Sequence, residues 1–494
     1  MTGDGAPASA PPPSTSSPVH RRRWWTLSVL GLVQLMVALD VTIINIALPR
    51  AQAALHFATA LRQWPLTGYA LAFGALLLLG GRLGDWWGRR TALLIGLVGF
   101  AAASAVGGAA TSFAMLVSAR AVQGAFAAVL APAALAALTT TFVEPGERAR
   151  AFAIYGALAG SGAAIGLIVG GALTQWVSWR WTLYVNVLFG LVALVGVLVL
   201  VPRGRPATHD PLDLPGLLLG GGGLFLVVYG FANAVTASWG DAVTVASLVL
   251  GVVLLAAFVA WQRRSRHPLV PLRIISHRTR GGSLAALFLS SAGLFGVSLF
   301  LTYYLENLDG YSPLRTGIAY LPMVGALAVT AAIASARLLG MVGPRPLVPA
   351  GMVLAALGLI LFTRLPLHAD YLGSVLPGLI LTGLGLGLVF APAIASATAG
   401  VRAVDAGAAS ASVNTFQQVG GSMGTALLNT IAVSAGTRAF THGTGPLPLR
   451  QAMATVHGDV IAFWWAAGLF LLGAVISMVL LRSGPLDLTA DPAT

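Results

Sequence analysis

At 494 residues, 57% hydrophobic and only 9% charged, the chain carries too little charge to cover a soluble globule of its size, so an integral membrane protein is expected. Its net charge of +13 comes entirely from Arg, with no Lys, scattered over many short loops, and therefore reports orientation in a bilayer rather than affinity for nucleic acid. Weak alternation and abundant Leu, Ala and Gly argue for helices and against a transmembrane barrel.

Fourteen apolar stretches of about 20 residues, the length that crosses a bilayer as a helix, fall near 24–46, 64–83, 91–111, 113–141, 150–173, 181–201, 212–234, 242–261, 283–305, 316–336, 346–363, 371–397, 407–435 and 460–481. Before them, residues 1–23 read as a disordered cytoplasmic tail rich in Pro, Ser and Ala. The apolar run after RRRWW is too long for a cleavable signal, so span 1 is expected to stay as an anchor. With the N-terminus inside, 20 of the 28 Arg lie on the inner side, which places both termini in the cytoplasm and the protein in the cytoplasmic membrane.

Span 1 carries Asp40 in LMVALDVTIINIALPR. An acid at the centre of a span costs roughly 3 kcal/mol on insertion scales and marks a functional candidate. Span 4 carries Arg120 at a similar depth, about 10 Å below the outer boundary by helical rise. The two are candidates for a register-fixing ion pair or for a shared cavity in which Asp40 gains and loses a proton. Glu306, one of three Glu, stands in LTYYLENLDGYSPL at the outer end of span 9, either solvated at the interface or, if it points into the cavity, a site for cationic substrate or a second proton, whereas Asp309 reads as a loop residue.

Between spans 2 and 3, GGRLGDWWGRR is expected to form a tight cytoplasmic connection using Gly81, Asp85, Gly88, Arg89 and Arg90. Span 5 places Gly156, Gly160, Gly166, Gly170 and Gly171 on a small-residue face, either for static packing or for a sliding contact between halves. Gln34 and Asn45 in span 1, Gln123 in span 4 and Asn414, Gln417 and Gln418 in span 13 are candidates to line a substrate cavity or to bond between helices.

The Arg-rich connection 263–282 separates two groups of spans. FAAVLAPAALAAL in span 4 echoes LGLVFAPAIASAT in span 12, each the fourth span of its six. That register predicts an all-α protein of two six-helix bundles, 24–205 and 283–482, related by a parallel repeat, with two inserted spans at 206–262 and a cytoplasmic tail at 483–494. Ile380 stands where Arg120 would repeat, so the span 4 charge is not an architectural need.

These residues resemble the fourteen-span drug:proton antiporters of the major facilitator superfamily. GRLGDWWGRR is similar to the superfamily loop signature G-x-L-x-D-x-x-G-R-R/K through Gly81, Leu83, Asp85, Gly88, Arg89 and Arg90. LDVTIINIALP resembles the group's span 1 signature and RAVQGAFAA the span 4 signature R-x-x-Q-G, giving Arg120, Gln123 and Gly124; WRWTLYVNV and LDGYSPLRTGIAYLP also look like this group. The resemblance runs from about residue 24 to 482 and implies a major facilitator fold whose halves rock about a central cavity while a proton gradient drives export. It implies proton handling by the span 1 acid and span 4 arginine, state-dependent contacts in the 2–3 connection, and an antiporter signature in span 5. Two departures stand out. Gly166-Leu167 replaces the usual Gly-Pro, removing a source of kinking, and Glu306 stands where the group commonly has Gln.

The expected activity is export of amphipathic, drug-like or antibiotic compounds, with protons and the bilayer as the other partners and no nucleic acid; the protein is expected to act as a monomer. Export of a metabolite, siderophore or lipid, or uncoupled facilitation, is the alternative on the same fold. No enzyme is expected, for no P-loop, Ser–His–Asp set or metal-ligand spacing occurs. Without cysteine, and with eight scattered His, no metal site is expected, and no cofactor beyond the proton gradient.

Overall fold

The computed structural model describes residues 18–142, 144–203, 213–265, 268–269, 272–401, 406–444 and 446–484. In chain order the helices are α1 (Pro18–Leu55), α2 (Trp64–Trp87), α3 (Arg89–Gly108), α4 (Phe113–Thr141), α5 (Pro145–Trp176), α6 (Trp181–Leu200), α7 (Leu214–Thr236) and α8 (Ala242–Arg264). A short α9 (Leu272–Ile275) leads to α10 (Arg278–Tyr303), which ends in a π-helical turn at Tyr304–Leu308. There follow α11 (Pro313–Ala319), α12 (Leu321–Ile333), α13 (Leu339–Val342), α14 (Pro344–Phe362), α15 (Leu376–Thr398), α16 (Ala406–His442) and α17 (Leu447–Leu480). Among the described residues, eleven helical segments are long and apolar enough to cross a membrane.

Local chemistry fixes where these helices begin. Ser112 caps α4 by accepting from the Met115 N–H, and Asp241 caps α8 by accepting from Val243 and Thr244. Both satisfy amide donors that the first turn leaves without partners. Asp213 caps α7 and also accepts from Trp261 Nε1 and Gln262 Nε2, both at 2.6 Å, so one carboxylate fastens α7 to α8. Pro in the first turn, where its missing N–H costs nothing, opens α2, α5, α7, α14 and α17.

Helices α1 to α6 pack chiefly on one another, as do α10 to α17, while α7 lies against both α2 and α16 and carries α8 on its outer side. We call the end of the bundle where α1 starts proximal and the opposite end distal. At the proximal end both groups use the same fastening. Arg22 of α1 and Arg90 of α3 donate to the Val199 and Leu198 carbonyls at the end of α6, at 3.1 and 2.6 Å. Arg278 of α10 and Arg345 of α14 donate to the Val479 and Met478 carbonyls at the end of α17, Arg345 at 3.2 Å. These cations meet the carbonyls and the negative dipole end that a helix C-terminus leaves open.

The 2–3 connection is tighter than the sequence suggests. α2 continues through Gly81 and Asp85 to Trp87, so these residues are helical and not in a loop; only Gly88, at φ +79°, interrupts before Arg89 opens α3. The side-chain surroundings of Asp85 lie outside the described residues. Gly343, at φ +77°, makes the same break between α13 and α14. A left-handed φ is inexpensive only for glycine, so both breaks need one.

The two groups meet at the distal end. One continuous core joins Leu48, Phe57, Leu116 and Leu183 of the first group to Phe300, Phe362 and Phe463 of the second. Proximal residues of the first group, among them Leu30, Leu93, Leu130 and Phe142, form a separate core. Backbones also approach closely here: a Cβ on Gly171 of α5 would lie 2.6 Å from Leu314 Cα, and one on Gly317 of α11 2.2 Å from the Leu167 carbonyl oxygen. The span 5 glycines therefore divide their work. Gly166 and Gly170 press on Thr42 and Ile43 of α1 within the same group, and Gly171 alone of these three meets the other group. A sliding contact between halves does not describe Gly166 and Gly170. Gly156 and Gly160 lie on α5, and their surroundings are outside the described residues.

Candidate functional site

Asp40 is fully buried in the middle of α1, about 22 Å by helical rise from the end of that helix at Leu55. Both carboxylate oxygens are engaged. Arg120 Nη1 donates to Oδ2 at 2.6 Å, while Gln123 Nε2 and Asn186 Nδ2 donate to Oδ1 at 2.8 and 2.6 Å. Arg120 also donates through Nη1 to Gln123 Oε1 at 2.7 Å and through Nε to the Pro65 carbonyl at 3.2 Å, and its guanidinium lies 4.4 Å from the centre of the Tyr69 ring. Gln123 completes the set by donating to Ser104 Oγ at 2.7 Å.

Five helices thus converge on one carboxylate: α1 supplies Asp40, α2 Tyr69 and the Pro65 carbonyl, α3 Ser104, α4 Arg120 with Gln123, and α6 Asn186. A buried ion pair is tolerated only when its remaining lone pairs and protons find partners, and removal of one member costs about 3–5 kcal/mol. Here each Asp40 oxygen has a donor, and the Arg120 guanidinium lies directly against the carboxylate.

The other sequence-derived candidates scatter. Gln123, a candidate for lining a cavity or for bonding between helices, is fully buried and bonds to α1 and α3 within the Asp40 network. Gln34 is half-buried and accepts from the Tyr155 hydroxyl at 2.8 Å, a bond between α1 and α5. Asn45 is half-buried with its Oδ1 lacking a hydrogen-bond partner among the described residues. On α16, Asn414 is exposed and donates to the Ser410 carbonyl at 3.2 Å, Gln417 is half-buried, and Gln418 packs on Gly74 of α2. Glu306 sits in the π-helical turn that ends α10, half-buried, its Oε1 without a partner among the described residues. Asp309 accepts from the Ala369 amide at 3.2 Å and lies 3.8 Å from His368, a loop contact.

Sequence reasoning missed three participants and a second polar centre. Asn186 lies inside WRWTLYVNV, a stretch noted without a role for any of its residues, and Ser104 and Tyr69 look like ordinary helix residues. The second centre is distal. Arg62, just after the 3-10 turn Thr59–Leu61, faces Asp459 of α17 at 3.5 Å and donates through Nε to Asn429 Oδ1 of α16 at 2.9 Å. Asn429 in turn donates to Gln63 Oε1 at 2.7 Å and to the Ala60 carbonyl at 3.2 Å.

Comparison with known proteins places this geometry. A family model of the Major Facilitator Superfamily matches residues 30–425. The puromycin resistance protein pur8 of Streptomyces alboniger is 49% identical over 464 residues, covering 94% of this chain and 92% of that protein. The cephamycin export protein CmcT of Amycolatopsis lactamdurans is 39% identical over 448 residues, covering 90% of each. Among solved structures, an auto-inhibited POT family peptide transporter matches with a TM-score of 0.68 at 15% identity over 96% of this chain and 99% of that one. A bacterial homologue of the human lysosomal transporter Spinster, in an inward-facing and unoccupied conformation, matches with a TM-score of 0.64 at 17% identity over 94% and 97%. At such identities the structures speak to fold alone, but the family model spans most of the chain and two relatives exceed a third in identity over nearly their whole length. The chain belongs to the Major Facilitator Superfamily.

Proposed function

We propose that this transporter exports amphipathic, antibiotic-like compounds from the cytoplasm in exchange for protons, by alternating access to a cavity between its two helix groups. One observation carries the reading: a fully buried carboxylate, Asp40, is held by donors from α4 and α6, so that taking up a proton and shifting helices are the same event. The substrate class is supported by the relatives, whose names record resistance to puromycin and export of cephamycin. The proximal end, with most of the Arg, is read as cytoplasmic, with both termini there and fourteen crossings: α2, α5 and α16 add to the eleven apolar segments, and the pieces 206–262 form the insert between bundles 24–205 and 283–482. Distal closure fits a transporter waiting for substrate from the cytoplasm.

In proteoliposomes carrying a pH gradient, adding substrate should release a matching movement of protons, and a protonophore should stop uphill export. Export that continues uphill after the gradient is dissipated would overturn the coupling. Glu306 bears on selectivity. Replacing Glu306 with Gln should lower resistance to cationic compounds several-fold while leaving neutral ones unchanged, measured as paired growth-inhibition curves in a host lacking its own exporters; equal loss for both classes would remove Glu306 from substrate choice.

A further inference from the structure

Between the two helix groups, the distal end holds a polar cluster buried on all sides. Arg62 and Asp459 are each 3% exposed, and Gln63 and Asn429 are fully buried. Arg62 and Gln63 belong to the first group, Asn429 and Asp459 to the second, so every bond in the cluster from one pair to the other spans the interface. The guanidinium of Arg62 lies between aromatic rings of α10, 5.1 Å from the centre of Phe300 and 4.7 Å from that of Tyr303, deep in the second group. The first group thus inserts a cation into the core of the second.

We propose that Arg62, Gln63, Asn429 and Asp459 form the latch that closes the distal gate during transport, with Arg62 as its bolt. This rests on the alternating-access reading above. The chemistry suits a contact that must open repeatedly. Burying an ion pair costs both partners their hydration, so parting the halves returns to Arg62 and Asp459 what closure withheld. Asp459 Oδ2 and Gln63 Nε2 have no hydrogen-bond partner among the described residues, which further favours hydration on opening. An apolar plug of equal size would gain nothing from water and would stay shut. Removing only Asp459 leaves Arg62 as an uncompensated buried cation, which is relieved when the halves separate.

The chain has no cysteine, so Ala54→Cys on α1 with Leu372→Cys beyond α14 gives two exposed thiols for spin labels on opposite groups at the distal end. In the labelled protein reconstituted in lipid, the short distance should dominate. Asp459→Asn should raise the long-distance population by about tenfold or more, and an unchanged distribution overturns the latch. Should Asp459→Asn fail to fold, the double variant Arg62→Met with Asp459→Leu decides, because it leaves no lone charge. It should hold the short distance and lose export, whereas normal opening with normal export overturns the proposal. The distance needs neither substrate nor gradient. Transport that proves uncoupled from protons therefore leaves the latch standing, and an unresponsive distance removes the latch while leaving the coupling test untouched.

Discussion

Asp40→Asn is expected to abolish proton-driven export and to lower the amount of folded protein. The amide keeps the size of the carboxylate but not its charge, and in either orientation its N–H₂ faces a donor, Arg120 on one side or Asn186 and Gln123 on the other. Arg120, 1% exposed, loses its counter-ion, a penalty of about 3–5 kcal/mol. Loss of activity alone would therefore not separate a proton carrier from a structural partner. The double variant Asp40→Asn with Arg120→Gln removes both charges and should recover folding, read as a monodisperse elution profile and a thermal midpoint near that of the parent. If Asp40 carries the proton, this refolded variant still moves no protons with substrate. If Asp40 serves only to hold Arg120, the double variant regains export, and that result would overturn the coupling role.

Gly166→Leu should be nearly as damaging by an unrelated route. A Cβ at this position would stand 2.1 Å from Thr42 Oγ1 and 3.0 Å from the Leu39 carbonyl oxygen, so α1 must move away from α5. Leu39 adjoins Asp40, and hydrogen bonds of 2.6 to 2.8 Å to the carboxylate leave no slack for a helix displaced by an ångström. Overpacking of this kind costs about 1–3 kcal/mol or more, and export should fall to background in growth-inhibition assays. Gly166→Ala, which adds only the methyl group, should lie between. Parent-level export in Gly166→Leu would mean that α1 and α5 separate without disturbing Asp40.

What was legible beforehand follows from what one-dimensional patterns can encode. Apolar length announces helices, and a charge within apolar sequence announces a site, which is why Asp40 and Arg120 could be singled out and their pairing offered as an option. Gln123 was equally conspicuous, but sequence does not say whether a buried amide faces water or neighbours that satisfy it. Arg62 and Asp459 stayed hidden for a geometric reason. Arg62 looks like any loop arginine, and a span begun at 460 leaves Asp459 outside, whereas α17 starts at Leu447 and carries it three turns deep. Arg62 and its partner Asn429 are also 367 positions apart, beyond any local pattern. A further signal lies in the sequence: Arg82-Leu83, Gly88 and Arg90 recur at the same spacing as Arg337-Leu338, Gly343 and Arg345, and both glycines take a positive φ. The repeat omits the acid, since Gly340 stands in the place of Asp85. Leu167, where the family signature has proline, leaves α5 unbroken, with its side chain in the shared distal core and its carbonyl against Gly317.

The position of α7 makes the flanks of the molecule unequal. Of the two seams along which the helix groups touch, the one formed by α2 and α16 is overlaid by α7, and Thr430 of α16 is tied to it through the Phe231 carbonyl at 2.7 Å. The other seam is formed by α5 with α11 and α12. Among the described residues, neither α7 nor α8 packs closely on α5, α11 or α12, so only the first of these flanks carries the helix pair as a second layer between the seam and its surroundings.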